Sequence, residues 1–255
     1  EDVILKKHWI FPQFRIKYKQ KLRNMVNTMK KRISALVIVL IMICTLCACG
    51  TPSPAKSDSA ARTQASAAAR TSDITILYTN DVHCGVSDNL GYSGLAVLKN
   101  AMEEQGNDVM LVDCGDSIQG DAIGTLSDGE YIIDIMNKAG YDIAIPGNHE
   151  YDYGTDQFIK KLVNKANFEY ICCNFTDKDE KTIFKPYTVR EIGGVKLGFV
   201  GILTPKTLTS SNPIQFKNES GEYIYGFMMD ETGETLYKAV QESVDAVRAE
   251  GAEYV

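Results

Sequence analysis

The sequence predicts an α/β fold built on a mostly parallel sheet, with helices on both of its faces. Two observations carry this. From Asp73 onward, short apolar runs alternate with segments of helical spacing, the pattern of repeated strand–helix units. Several of the helical segments close on a glycine, the residue that most readily takes the left-handed conformation ending a helix. With 44% hydrophobic and 24% charged residues the composition is that of a globular protein, and 255 residues suit one large domain or somewhat more.

The elements follow in order. "ITILYTND" (74–81) is a first strand, and "GLAVLKNAMEEQG" (94–106) a helix with a glycine stop. "DVMLVDCGD" (108–116) is a second strand and "EYIIDIMNKAG" (130–140) a second helix. "YDIAIPGN" (141–148) is a third strand, and "TDQFIKKLVNKAN" (155–167) a helix for which Thr155 is the expected cap. "FEYICCNF" (168–175) is a fourth strand. Cys172 and Cys173, adjacent on it, point to opposite faces and do not bond to each other, so buried thiols rather than disulfides are expected. "YTVREIGGVKLGFVGI" (187–202) is a hairpin turning at Gly193-Gly194. "ETLYKAVQESVDAVRAEG" (234–251) places Leu236, Ala239, Val240, Val244 and Val247 on one helical face, and "AEYV" (252–255) opens a further strand.

The N-terminal part is a different material. Residues 1–32 carry a charge balance of +8 and the remainder −14, against −6 overall. From Met29, "MKKRISALVIVLIMICTLCACG" has the basic n-region and apolar h-region of a signal peptide. Its apolar run is shorter than the roughly 20 residues a membrane-spanning helix needs. Leu46-Cys47-Ala48-Cys49 resembles the bacterial lipobox, which implies cleavage before Cys49 and a lipid on its sulfur; an uncleaved N-terminal anchor is the alternative. Residues 1–28, aromatic and basic, lie ahead of that signal. They are expected to be upstream sequence translated by mistake, with the natural start at Met25 or Met29; a cytoplasmic basic arm is the other possibility, and nucleic acid is not an expected partner. Residues 49–72, rich in Ser, Ala, Thr and Pro, read as a flexible tether. The expected location is therefore the extracytoplasmic face of the cell membrane, held by a lipid, with residues 73–255 as the folded domain.

Ligands of parallel sheets bind beyond the carboxyl ends of the strands. Three such ends carry polar clusters: "NDVH" with Asp81 and His83, "DCGDS" with Asp116, and "PGNHEYD" with Asn148, His149 and Asp152. Carboxylates, a neutral imidazole and an amide oxygen together suit Mn, Fe or Zn. A carboxylate such as Asp116, shared by two cations, can hold them at the short separation that two-metal hydrolysis requires. D-x-H and G-D-S arise easily by chance, whereas G-N-H-E is expected in roughly one chain of this length in several hundred. Asp81 and Asn148 are also common turn formers, but turn shaping gives no reason for three successive strand ends to share this chemistry.

The ordered set D-x-H, G-D, G-N-H-E resembles that of the calcineurin-like metallophosphoesterases. The wording "ILYTNDVHCGV … LVDCGDSIQGD … PGNHEYDYG" is similar, more narrowly, to the catalytic domain of the 5′-nucleotidase family over residues 73–255. The resemblance implies a metallophosphoesterase-type α/β fold, a β-sandwich flanked by helices, with two divalent ions such as Mn, Zn or Fe. By that resemblance Asp81 and His83 hold the first ion, Asp116 bridges both, and Asn148 holds the second. His149 is then the catalytic histidine beside the transferred phosphoryl group, oriented and charged by Asp152. The family's further metal-binding histidines and its C-terminal nucleoside-binding domain have no counterpart here, since His83 and His149 are the only histidines past the signal. The chain is accordingly expected to be a truncated catalytic domain, poorly active by itself.

The function expected is metal-dependent hydrolysis of a phosphate ester, most specifically release of phosphate from a nucleoside monophosphate in nucleotide catabolism. A 2′,3′-cyclic-nucleotide phosphodiesterase or a nucleotide-sugar hydrolase would use the same ligands. A surface lipoprotein that binds a solute without chemistry is the alternative of another class, and the metal-ligand set is what it would not need.

Overall fold

The computed structural model describes residues 73–255, so the basic stretch, the signal, the tether and Cys49 lie outside the described residues. Strand β1 (Ile74–Thr79), helix α1 (Gly91–Glu103), β2 (Asp108–Asp113), helix α2 (Glu130–Ala139), β3 (Ile143–Ala144) and β4 (Glu169–Tyr170) follow in the expected order. They form a parallel sheet of order β1-β2-β3-β4, which sends the chain out of β1, β2 and β3 at one edge. Three short or antiparallel elements complete the strands: β5 (Thr176–Asp177), the hairpin β6 (Tyr187–Ile192) and β7 (Val195–Val200), and β8 (Tyr225–Gly226), paired with β5. Helix α3 (Glu234–Ala249) comes last.

The two faces of the sheet are covered differently, and here the expectation of helices on both faces is corrected. Side chains alternate along β2. Leu111 joins Tyr92 and Leu95 of α1 and Ile132, Ile133 and Met136 of α2 in the larger core. Full burial of each aliphatic side chain in that cluster is worth about 1.5–3 kcal/mol. Met110, with Ile143 and Ile171, packs on the other face against Ile192 and Phe199 of the hairpin. Helix α3 covers the far side of the hairpin, with Val247 over Gly198, where a Cβ would collide with its side chain. The order is helix, sheet, hairpin, helix: a β-sandwich flanked by helices. The hairpin turns at Gly193 (φ 59°) and Gly194 (φ 83°), the paired left-handed conformations that match the twist of two antiparallel strands.

Other elements are shorter than their apolar runs suggest. The third and fourth strands keep regular ladder pairing over two residues each. Beyond β3, Pro146 has no N–H to offer a ladder and Gly147 follows it into a turn. Thr155 is not a cap. Its Oγ1 donates to the Gln215 carbonyl at 2.6 Å, and the segment behind it winds as a π-helix over Gln157–Leu162 before an α-turn at Val163–Lys165. The final residues make a single parallel bridge to β7, through Gly198 N to Tyr254 O and Glu253 N to Lys196 O, both at 2.8 Å, rather than a full strand. Cys84, Cys114, Cys172 and Cys173 are free thiols, as expected. Among the described residues no helix is long and apolar enough to cross a membrane.

Candidate active site

The loops leaving β1 and β2 stay hydrogen-bonded past the ends of the strands. Cys114 N donates to Thr79 O at 2.8 Å, Asp81 N to Gly115 O at 3.1 Å, His83 N to Asp116 O at 2.9 Å and Cys84 N to Ser117 O at 3.0 Å. In these loops Asp81, His83, Cys84 and Asp116 all adopt positive φ, between 47° and 59°. That conformation costs an L-residue about 1–2 kcal/mol, and such strain collects at functional sites. The β3 loop then closes on the β2 loop through two glycines: a Cβ on Gly115 would lie 2.5 Å from Gly147 N, and one on Gly147 would lie 2.5 Å from Asp116 N. Only glycine permits that approach.

The result is a cluster of donor atoms. His83, Asp116 and His149 each bring one possible ligand atom within 4.8 Å of the others. Asp81 stands beside it, its Oδ1 3.9 Å from His83 Nε2, while Asn80 Nδ2 donates to its other oxygen. The His83 and His149 rings meet edge to face at 5.1 Å. His83 Nδ1 lies 3.2 Å from the Gln119 carbonyl, which holds the proton on that nitrogen and frees Nε2. His149 is engaged on its other side: Nδ1 is 2.7 Å from Asp152 Oδ2, again leaving Nε2 free. Burial disfavours a charged His149 ring, but the hydrogen bond and charge of Asp152, helped by Asp116 and Glu150, hold its pKa above the usual histidine value. The His83 imidazole and the Asp116 carboxylate, with Asp81 beside them and His149 facing them, are a donor set that fits a first-row divalent cation.

Asn148 immediately precedes the short 3-10 turn His149–Tyr151, and its backbone carbonyl accepts a hydrogen bond from Ser211 Oγ. Beneath that turn Tyr151 is fully buried, with ring centroids of Phe158, Phe175 and Phe216 at 5.5, 5.1 and 5.1 Å. Each such aromatic pair adds about 0.5–1.5 kcal/mol to simple burial, so the turn carrying His149 rests on a rigid base. Behind the cluster, burial pushes the Asp113 carboxyl up to about 8, against the Thr79 hydroxyl that donates to it at 2.7 Å.

Sequence reasoning passed over two residues that shape this site. Glu150 is 1% exposed and accepts backbone N–H groups from both the β2 and β3 loops. Burial and the nearby Asp116 charge raise its pKa, while the N–H groups of Ser117, Asp116 and Gly147 pull it down. It stands inside the G-N-H-E motif, so a signal was present. Ser211 had none.

The profile of the family described as "Calcineurin-like phosphoesterase" matches residues 74–241, which contain every residue of this cluster. The chain belongs to that family. A snake venom 5′-nucleotidase of Gloydius brevicauda is 32% identical over 178 residues, covering 62% of this chain and 30% of the relative. A 5′-nucleotidase of Vibrio cholerae is 32% identical over 182 residues, covering 68% of the chain and 31% of the relative. The crystal structure of the calcineurin-like phosphoesterase YfkN from Bacillus subtilis superposes with a TM-score of 0.55 at 26% identity, over 70% of this phosphoesterase chain and 59% of that one. The match thus spans under a third of the length of the two sequence relatives.

Proposed function

We propose that this phosphoesterase releases phosphate from nucleoside 5′-monophosphates with the help of two divalent ions. The observation that carries the proposal is the convergence of His83, Asp116 and His149 within 4.8 Å at one sheet edge, with Asp152 on the far nitrogen of His149. The likeness to 5′-nucleotidases supports the choice of substrate. When bound, the ions would neutralise phosphoryl charge and lower the pKa of water toward neutrality. Asp81, His83 and Asp116 would hold one ion, with Asp116 and Asn148 contributing to the other. His149 would keep a proton on Nε2, facing the leaving oxygen, because Asp152 at 2.7 Å stabilises the charged ring. Asp116 also fixes His149 directly, its Oδ1 accepting the His149 N–H at 2.8 Å.

The protein is expected to release phosphate from AMP with Mn2+ present, to stop after chelation and dialysis, and to recover when Mn2+ is restored. 2′,3′-cyclic AMP and a nucleotide sugar, assayed in parallel, separate the three candidate substrates; no metal-dependent release from AMP would refute the 5′-nucleotidase assignment.

We also propose that Cys49 is the lipidated N-terminus of the mature protein, holding the domain outside the cell membrane. Mass spectrometry of the membrane fraction should find a diacylglyceryl Cys49 as the first residue. A mature protein that retains residues 1–28 would contradict it.

A further inference from the structure

Glu150 takes no part in the chemistry proposed above, yet it is the most heavily bonded group beside the site. Its Oε1 accepts from Ser117 N at 2.8 Å, Ser117 Oγ at 3.3 Å and Ile118 N at 3.4 Å. Its Oε2 accepts from Asp116 N at 2.9 Å and Gly147 N at 2.5 Å. One buried carboxylate therefore joins the loop that bears Asp116 to the loop that bears Asn148 and His149. The two loops touch through Gly115 and Gly147, which have no side chains to bond across the contact; beside Glu150, the His149 N–H donating to Asp116 Oδ1 also joins them. Asp116 must also be kept in its left-handed conformation, and its N–H is one of the two donors on Oε2. Among the described residues no Lys or Arg pairs with Glu150; its partners there are loop N–H groups and the Ser117 hydroxyl, so what it organises is the loops themselves.

We infer that Glu150 is a positioning residue for the metal centre, clamping the two loops so that Asp116 and His149 present their donors at a set separation. The inference rests on the metallophosphoesterase function proposed above. Glutamine is the sharp substitution, being the same size. Each carboxylate oxygen receives at least two donors, so an amide nitrogen at either place must face N–H groups with its own. Aspartate keeps the charge but is one methylene short.

The test uses the full-length protein and two readouts. Hydrogen exchange of the metal-free protein, followed by NMR, reports the clamp at the Asp116, Ser117 and Gly147 amides. Calorimetric titration with Mn2+ reports the centre. In Glu150→Gln those amides are expected to exchange faster, and the Kd for Mn2+ to weaken by about 10–100-fold, the usual effect of removing a group that orients a metal ligand. Val247→Ala, a fully buried position between the last helix and the hairpin, serves as the control for lost stability; it should lower Tm and leave Mn2+ affinity unchanged. Should Glu150→Gln not fold, Glu150→Asp carries the same readouts, with smaller changes of the same sign.

Unchanged exchange in the glutamate variant overturns the inference. So does faster exchange with unchanged Mn2+ affinity, or an equal loss of affinity in Val247→Ala. A wild-type protein that binds Mn2+ but hydrolyses no phosphate ester refutes the proposed function and leaves this test intact. One that binds no Mn2+ overturns both.

Discussion

Replacing Asp116 with asparagine is expected to remove metal and activity together, the largest single effect in the protein. Asp116 is one of three groups whose ligand atoms meet within 4.8 Å, and it is the only carboxylate among them. It is 8% exposed, so water cannot easily take over its role. An amide oxygen in its place is a neutral donor with little power to bridge two cations. Loss of an ion that supplies several kcal/mol of charge stabilisation corresponds to a fall in kcat on the order of 10³-fold or more. Metal analysis of the purified variant beside a phosphate-release assay checks both halves. Full metal content in Asp116→Asn would show that the carboxylate is not a ligand.

His149→Asn is expected to act differently, lowering kcat by about 10²–10⁴-fold while metal content stays the same. The distinction rests on the two sides of the ring. Nδ1 faces Asp152 at 2.7 Å, and the pairing favours the imidazolium, which can give up a proton but cannot ligate a cation. The same ring nevertheless stands within ligand distance of His83 and Asp116. Measured metal content therefore separates an acid from a ligand, and a variant lacking an ion would assign His149 to the metal.

Much of this was legible in the sequence. The helices at 91–103, 130–139 and 234–249 have clear apolar stripes, and Gly193-Gly194 marks its hairpin. Asp81, His83, Asp116, Asn148, His149 and Asp152 stood out because three strand ends repeated one chemistry. What periodicity could not show was depth. The apolar runs at 141–148 and 168–175 are buried throughout much of their length but pair over only two residues each, since burial and ladder bonding are separate properties. Thr155 resembled a cap because the sequence did not reveal Gln215, its distant partner. The hairpin replaced the expected second helical layer because Ile192 and Phe199 face Met110 and Ile143, a long-range contact with no local trace. Glu150 was overlooked for a related reason. A charged residue is ordinarily exposed, and its buried bonds come from loops distant in sequence.

The most direct test of the central claim is metal content and phosphate release from AMP measured on the same samples of full-length wild type, Asp116→Asn and His149→Asn. Wild type should hold its ions and turn over, Asp116→Asn should lose both properties, and His149→Asn should keep the ions and lose turnover. An Asp116→Asn protein with wild-type turnover would contradict the account, because the strand-end cluster could then not be the centre that hydrolyses the ester.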